Sequence, residues 1–217
     1  MRPNAASLAL VLALSPAMVV AHPHIFVEAQ VGLVMDGQGS LLGVRLTWLY
    51  DDLFSLLLTA DLGIDPEGDM ILTAPEQATL TAAVLDWPAD FGGDLFVLVD
   101  GVPLALGARA EPGVTFDAGR VAESHYRPLA QPLPVTAPVA VQVYDPFYYV
   151  AYAVVAPITL TGGDGCATTY QAADLNSAYA LVDELLYGRP ASDVGPDEQF
   201  PEVGQAFADT VMLTCGG

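Results

Sequence analysis

The sequence predicts an α+β protein: mainly antiparallel β-sheet, a helix–loop–helix insertion near the N-terminus, and a C-terminal helix. Three observations lead there. Ile25 to Met35 alternates apolar and polar residues with the period of a strand, and Leu41 to Tyr50 returns after the turn Asp36-Gly37-Gln38-Gly39. Two helical stretches, from Asp52 to Leu62 and from about Pro75 to Leu85, bracket an acidic loop. After Trp87-Pro88, short apolar runs are divided by turn residues at Asp100-Gly101 and Asp117-Ala118-Gly119.

Taken in order, Ile25, Val27, Ala29, Val31 and Leu33 form the inward set of the first strand, and Val44, Leu46 and Trp48 that of the second. The helix from Asp52 lacks β-branched residues until Thr59 and begins at an aspartate suited to an N-cap. Leu95 to Val99 and Val102 to Leu106 read as a hairpin, as do Val114 to Phe116 and Val121 to Tyr126. Val139 to Tyr144 runs into Asp145-Pro146, followed by an aromatic-rich strand from Phe147 to Val155, then Ile158 to Leu160 and Ala167 to Tyr170. Asp174 to Tyr187 is an amphipathic helix stopped at Gly188. Ala191 to Glu202 is a loop, and Ala206 to Leu213 is a short last element.

The first 21 residues read as an export signal. Arg2 supplies the positive start, Leu8 to Leu14 the short apolar core, and Val19 and Ala21 the small residues before a cut after Ala21. The expected mature protein is a single periplasmic domain, 22–217, with the helical insertion at about 51–87 and no later membrane span. The formal charge of the chain is −20, every cation in it is arginine or histidine, and loss of Arg2 makes the balance more negative still. Such a surface repels phosphates and excludes nucleic acid as a natural partner. It suits cations or basic surfaces, and equally the plain solubility of an exported protein.

Cleavage after Ala21 would make His22 the first residue, with its α-amine beside its own imidazole and His24 two positions on. That donor set suits a borderline divalent metal: nickel, cobalt, copper or zinc. Pro23 has no N–H, so a square-planar terminal site built on deprotonated amides is blocked. His125 is the third imidazole of the chain and a candidate third ligand, or a structural histidine in a strand. A second candidate is a calcium loop, with Asp65, Glu67, Asp69, Ile71, Thr73 and Glu76 at positions one, three, five, seven, nine and twelve. It is degenerate, because Met70 stands where the sharp turn calls for glycine.

Cys166 and Cys215 read as a disulfide in an oxidising compartment, closing a loop of about fifty residues that contributes about 4 kcal/mol in the chain-entropy model. A metal-binding cysteine pair is the alternative. Tyr144 to Tyr149 could line a ligand groove, but packing of a kinked strand is the expectation. No G-x-S-x-G, phosphate loop or H-E-x-x-H occurs, and a non-enzymatic role is expected.

These landmarks, His22-Pro23-His24 before a Phe-Val strand, the loop ending at Glu76, Val99-Asp100-Gly101, Val143-Tyr144-Asp145-Pro146, Gly165-Cys166 and Thr214-Cys215, run in order through the mature chain. In that combination the sequence resembles an uncharacterised family of exported bacterial proteins of unknown function. Its members are often labelled periplasmic components of ABC-type transport systems, and many are encoded beside nickel/cobalt efflux permeases. The resemblance implies a periplasmic metal-binding accessory whose partners are the metal ion and an inner-membrane metal permease. An interaction module or assembly factor for the same transporter is the alternative. A copper oxidase with an N-terminal histidine brace is a third reading, and it needs His125 as the distant imidazole.

Overall fold

The alternation of apolar residues resolves into two five-stranded sheets that share one core. A computed structural model describes residues 23–89, 91–194, 198 and 200–216. Residues 1–22, on which the export and cleavage readings rest, lie outside the described residues. Strand β1 (Ile25–Met35) pairs antiparallel with β2 (Ser40–Tyr50), as the alternation predicts. After the helices α1 (Asp52–Leu62) and α2 (Ala74–Leu85) come β3 (Leu95–Val99), β4 (Val102–Pro103), β5 (Ala110–Asp117) and β6 (Arg120–Pro134). Then follow β7 (Val139–Val143), β8 (Val150–Thr161), β9 (Cys166–Gln171), the helix α3 (Leu175–Leu185) and β10 (Thr210–Cys215).

The strand orders are β5-β6-β2-β1-β8 and β4-β3-β7-β10-β9. All pairings are antiparallel except β1 with β8. Val27, Ala29, Val31 and Leu33 of β1 and Leu46 and Trp48 of β2 are buried against Val97, Val139, Val141, Val211 and Leu213 of the second sheet. Cys166 and Cys215 are register partners on β9 and β10 and form the disulfide, which settles the alternative of a metal-binding pair.

The helical insertion covers one side of the first sheet. Asp51 caps α1 by accepting the Phe54 amide at 2.8 Å, and Gly63 ends the helix in the left-handed conformation. Ser55 is fully buried beneath α1, where its hydroxyl accepts the Val121 amide of β6. Ile64 and Leu80 close this second core over Val121. A third cluster forms where Ala178 of α3 and Leu186, the residue that caps its C-terminus, pack with Phe200, Val203 and Phe207. Gly204 sits so tightly on the turn at Asp145 that a β-carbon would collide with the Asp145 carbonyl.

Several boundaries differ from those the sequence predicts: β4 stops at Pro103 instead of Leu106, and β5 begins at Ala110 instead of Val114. β6 runs on to Pro134 instead of ending at Tyr126, because its polar residues Glu123, His125 and Arg127 occupy inward positions. Residues 145–149 form a turn instead of the start of a strand, held by the Asp145 carboxylate and by Tyr148 at φ 58°. β8 then runs on through Pro157, where its pairing with β1 shifts register between Val155 and Thr159, an irregularity of the kind that accommodates proline in an edge strand.

Candidate functional site

Asp145 is the residue from which the site is built. Its Oδ1 accepts the Phe147 amide at 3.0 Å, and its Oδ2 accepts those of Tyr149 and Val150 at 2.8 and 3.1 Å. This turn does two things. On one side the Tyr149 carbonyl accepts the His24 amide at 2.8 Å and the Tyr149 ring stacks on the His24 imidazole, with centroids 5.8 Å apart. His24 is thereby braced on an exposed position one residue ahead of β1. On the other side Asp145, Pro146 and Phe147 form one wall of a cleft of about 740 Å³.

The cleft opens between the ends of the two sheets, with α1 and α2 along its edge. Its walls are aromatic. Trp48 stacks on Trp87 at 5.6 Å, Phe91 meets Trp87 edge-on at 4.8 Å, and Tyr50 tilts over Phe54 at 4.9 Å. Tyr152 leans on Trp48 and donates its hydroxyl to Asp94 Oδ2 at 2.8 Å. Burial pushes the Asp94 carboxyl up to about 7; the Tyr152 hydrogen bond opposes the rise and the Asp145 charge reinforces it. Burial likewise pushes the Tyr50 and Tyr152 phenols far above their ordinary range, so both stay neutral donors. This groove-lining role of Phe147, with Asp94 and the two tryptophans, is the part of the site that sequence reading passes over in favour of simple packing. The signal for it is the aromatic run beside Asp145-Pro146.

A smaller cavity of about 450 Å³ lies on the other face of β1 and β8, lined by Phe26, Glu28, Arg120, Tyr148 and Asp209 among others. Its charges are already matched. Arg120 pairs with Glu28 at 2.9 Å, and Asp209 accepts the amides of Val154 and Ala173.

His125 is not brought to His24. It pairs in register with Leu46, which in turn faces Val31, seven residues along β1 from His24; at about 3.3 Å per residue that is over 20 Å. It is fully buried between the edges of Trp48 and Trp87, at 4.9 and 5.0 Å. Its Nδ1 lies 3.4 Å from Glu123 Oε1, and neither ring nitrogen makes a well-formed hydrogen bond. Glu123, also fully buried, is neutralised by Arg109 at 3.2 Å, whose guanidinium lies 3.9 Å over the Trp87 ring and also caps the Leu85 carbonyl at the end of α2. His125 thus belongs to a buried structural network. As a third ligand, and as the second imidazole of a copper brace, it is replaced by this packing role.

The loop from Asp65 to Glu76 does form a helix–loop–helix, and Met70 takes the left-handed turn at φ 62° that the sixth position demands. The structure brings Asp65 and Glu76 together, but their oxygens serve the loop itself. Asp65 accepts the amides of Asp69 and Met70, and Asp69 that of Ile71. Glu76 Oε1 accepts the Asp65 amide, while Oε2 takes the amide and hydroxyl of Thr73 as the glutamate half of a capping box. Those bonds hold its carboxyl below the usual range, the Thr73 hydroxyl most of all. Among the described residues no three His, Cys, Asp or Glu side chains are grouped to hold a metal.

No helix among the described residues is long and apolar enough to cross a membrane. No curated protein matches the chain. A family model described as "Protein of unknown function (DUF1007)" matches residues 7–215, nearly the full length, and the chain belongs to that family.

Proposed function

We propose that the protein is a periplasmic, non-enzymatic metal-binding accessory of a membrane transport system for nickel- or cobalt-type ions. The donors are the amine and imidazole of His22, exposed by cleavage after Ala21, together with the His24 imidazole. The observation that carries this reading is the setting of His24: exposed, fixed at the head of β1 by the Tyr149 carbonyl, and stacked on the Tyr149 ring. A ligand held at a strand end loses little freedom when it binds, which favours chelation with a neighbour two residues away. The acidic surface adds a field that concentrates divalent cations.

Calorimetric titration tests it. Mature protein beginning at His22 is titrated with Ni(II), Co(II), Cu(II) and Zn(II), beside a sample carrying one added N-terminal residue and a His24→Ala variant. One-to-one binding by the mature form, weakened at least about tenfold in both others, is the expected outcome. Equal binding by all three samples, or none, removes the terminus as the site.

A second reading, an interaction or assembly module for the same transporter, draws on α1. Leu53, Leu56 and Leu57 stand 64%, 63% and 53% exposed along one side of that helix. Under it the titration shows no metal binding, and changing all three leucines to serine abolishes co-purification with the permease.

A further inference from the structure

The aromatic cleft has features that the terminal metal site does not use, and together they define a class of ligand. Its volume of about 740 Å³ is that of a small-molecule site and far exceeds a bare ion. Tyr50, Phe54, Phe91, Phe147 and Tyr152 are each half-buried, so they are packed firmly yet still turn surface toward the opening. The two acidic residues in the wall are Asp94 and Asp145, and no lysine, arginine or histidine is among the lining residues.

Charge and hydration decide between occupants. An anion would meet two carboxylates in the wall, while the guanidiniums behind it are already engaged, Arg109 by Glu123 and Leu85 and Arg127 by Gly92 and Gly107. A neutral apolar molecule would fill the space but cover the Asp94 carboxylate with only the Tyr152 hydroxyl to compensate its charge, which is costly. A small divalent metal needs several oxygens, and few are on offer: both Asp145 oxygens are engaged by three backbone amides, and Asp94 Oδ2 already accepts Tyr152. What remains is a bulky, weakly hydrated cation, which gains from aromatic faces and needs a single counter-charge.

We propose that this cleft binds a small organic cation of the alkylammonium or quaternary ammonium class, its alkyl groups against the aromatic walls and Asp94 as its counter-ion. Trp48, Trp87 and Tyr152 form the back of the site, and Phe147 is carried on the Asp145 turn at its edge. Other ionisable groups facing Asp94 are Tyr152 on β8, Asp145 on the turn and Tyr50 on β2; the phenols stay neutral, so Asp94 is the group whose ionisation the ligand governs. Binding therefore strengthens as pH rises through neutrality and draws a proton off Asp94.

The chain's two tryptophans both line the cleft, so their fluorescence reports occupancy. Mature protein is titrated at pH 8 with choline and with 3,3-dimethyl-1-butanol, its uncharged carbon isostere. Choline is expected to bind about tenfold or more tighter than the alcohol, and Asp94→Asn to remove that advantage while leaving the alcohol unchanged. Phe147→Leu, on the exposed turn, keeps an apolar wall but removes one π face; it should weaken choline about three- to fivefold and spare the alcohol. Equal affinity for the two ligands, full choline affinity in both variants, or no saturable response to either ligand overturns the proposal. Because the His24→Ala variant leaves the cleft walls intact, it should bind choline normally, which separates this site from the metal site.

Discussion

Asp94 gives the molecule a pH dependence of its own, opposite in sign to that of Glu76. Its ordinary value is 3.8 and in the folded protein it rises to about 7, so the native state holds this proton more tightly than the unfolded chain does. The stability it contributes is therefore present at low pH and is lost as pH rises from about 4 to about 7. Asp94→Asn keeps an acceptor for the Tyr152 hydroxyl and cannot ionise. Urea midpoints measured from pH 4 to pH 8 should fall less steeply for this variant than for the wild type; parallel curves would show that burial of Asp94 is not the source. Little of this is legible in the sequence, where Asp94 is one of 26 acids. The same holds for Glu123 and His125. Their inward place makes sense only once Arg109, fourteen residues from Glu123, is known to reach that carboxylate.

At the level of elements, local chemistry was far more telling. Asp51 and Gly63 mark the ends of α1, and the alternation from Ile25 fixes β1 residue for residue, because both signals depend on neighbours in sequence. The turn at Asp145 escaped the pattern because an aromatic run has the same composition whether it pairs in a sheet or folds around a carboxylate. The acidic loop shows the limit differently: its spacing predicts the helix–loop–helix, but not that the carboxylates would turn inward onto their own amides. Met70 there carries a side chain in a conformation that favours glycine, and it is exposed. Met70→Gly should relieve strain of about 1 kcal/mol, offset in part by the greater freedom of glycine in the unfolded chain. Thermal melts should show a small rise in Tm, and a fall of several degrees would mean that Met70 contributes by packing near Gly119.

On the scale of the whole molecule, two sheets share a core but are tied by different means. β9 and β10 are joined by the disulfide across 49 residues, a loop that includes α3 and the Phe200–Phe207 cluster. Cys166→Ser with Cys215→Ser should cost about 4 kcal/mol, read as a lower denaturation midpoint with reducing agent having no further effect. The cluster around Ala178 and Phe207 should loosen first, which hydrogen exchange at α3 would register. That the protein is mainly antiparallel sheet is visible in its turn-punctuated strands, whereas the division into two sheets and the order of the strands are not, since no local signal tells β1 that its second neighbour is β8.

That pairing has a consequence in time. β1 lies parallel to β8, and Val27 meets Tyr152 roughly 125 residues later, a separation that makes this contact among the slowest to close. Until the chain is complete through Thr161, one edge of Ile25–Met35 has no partner and its amides stand open to any extended segment nearby. A nascent or truncated chain thus carries the β1–β2 hairpin as an unfinished edge, and β8 acts as the strand that seals it against self-association.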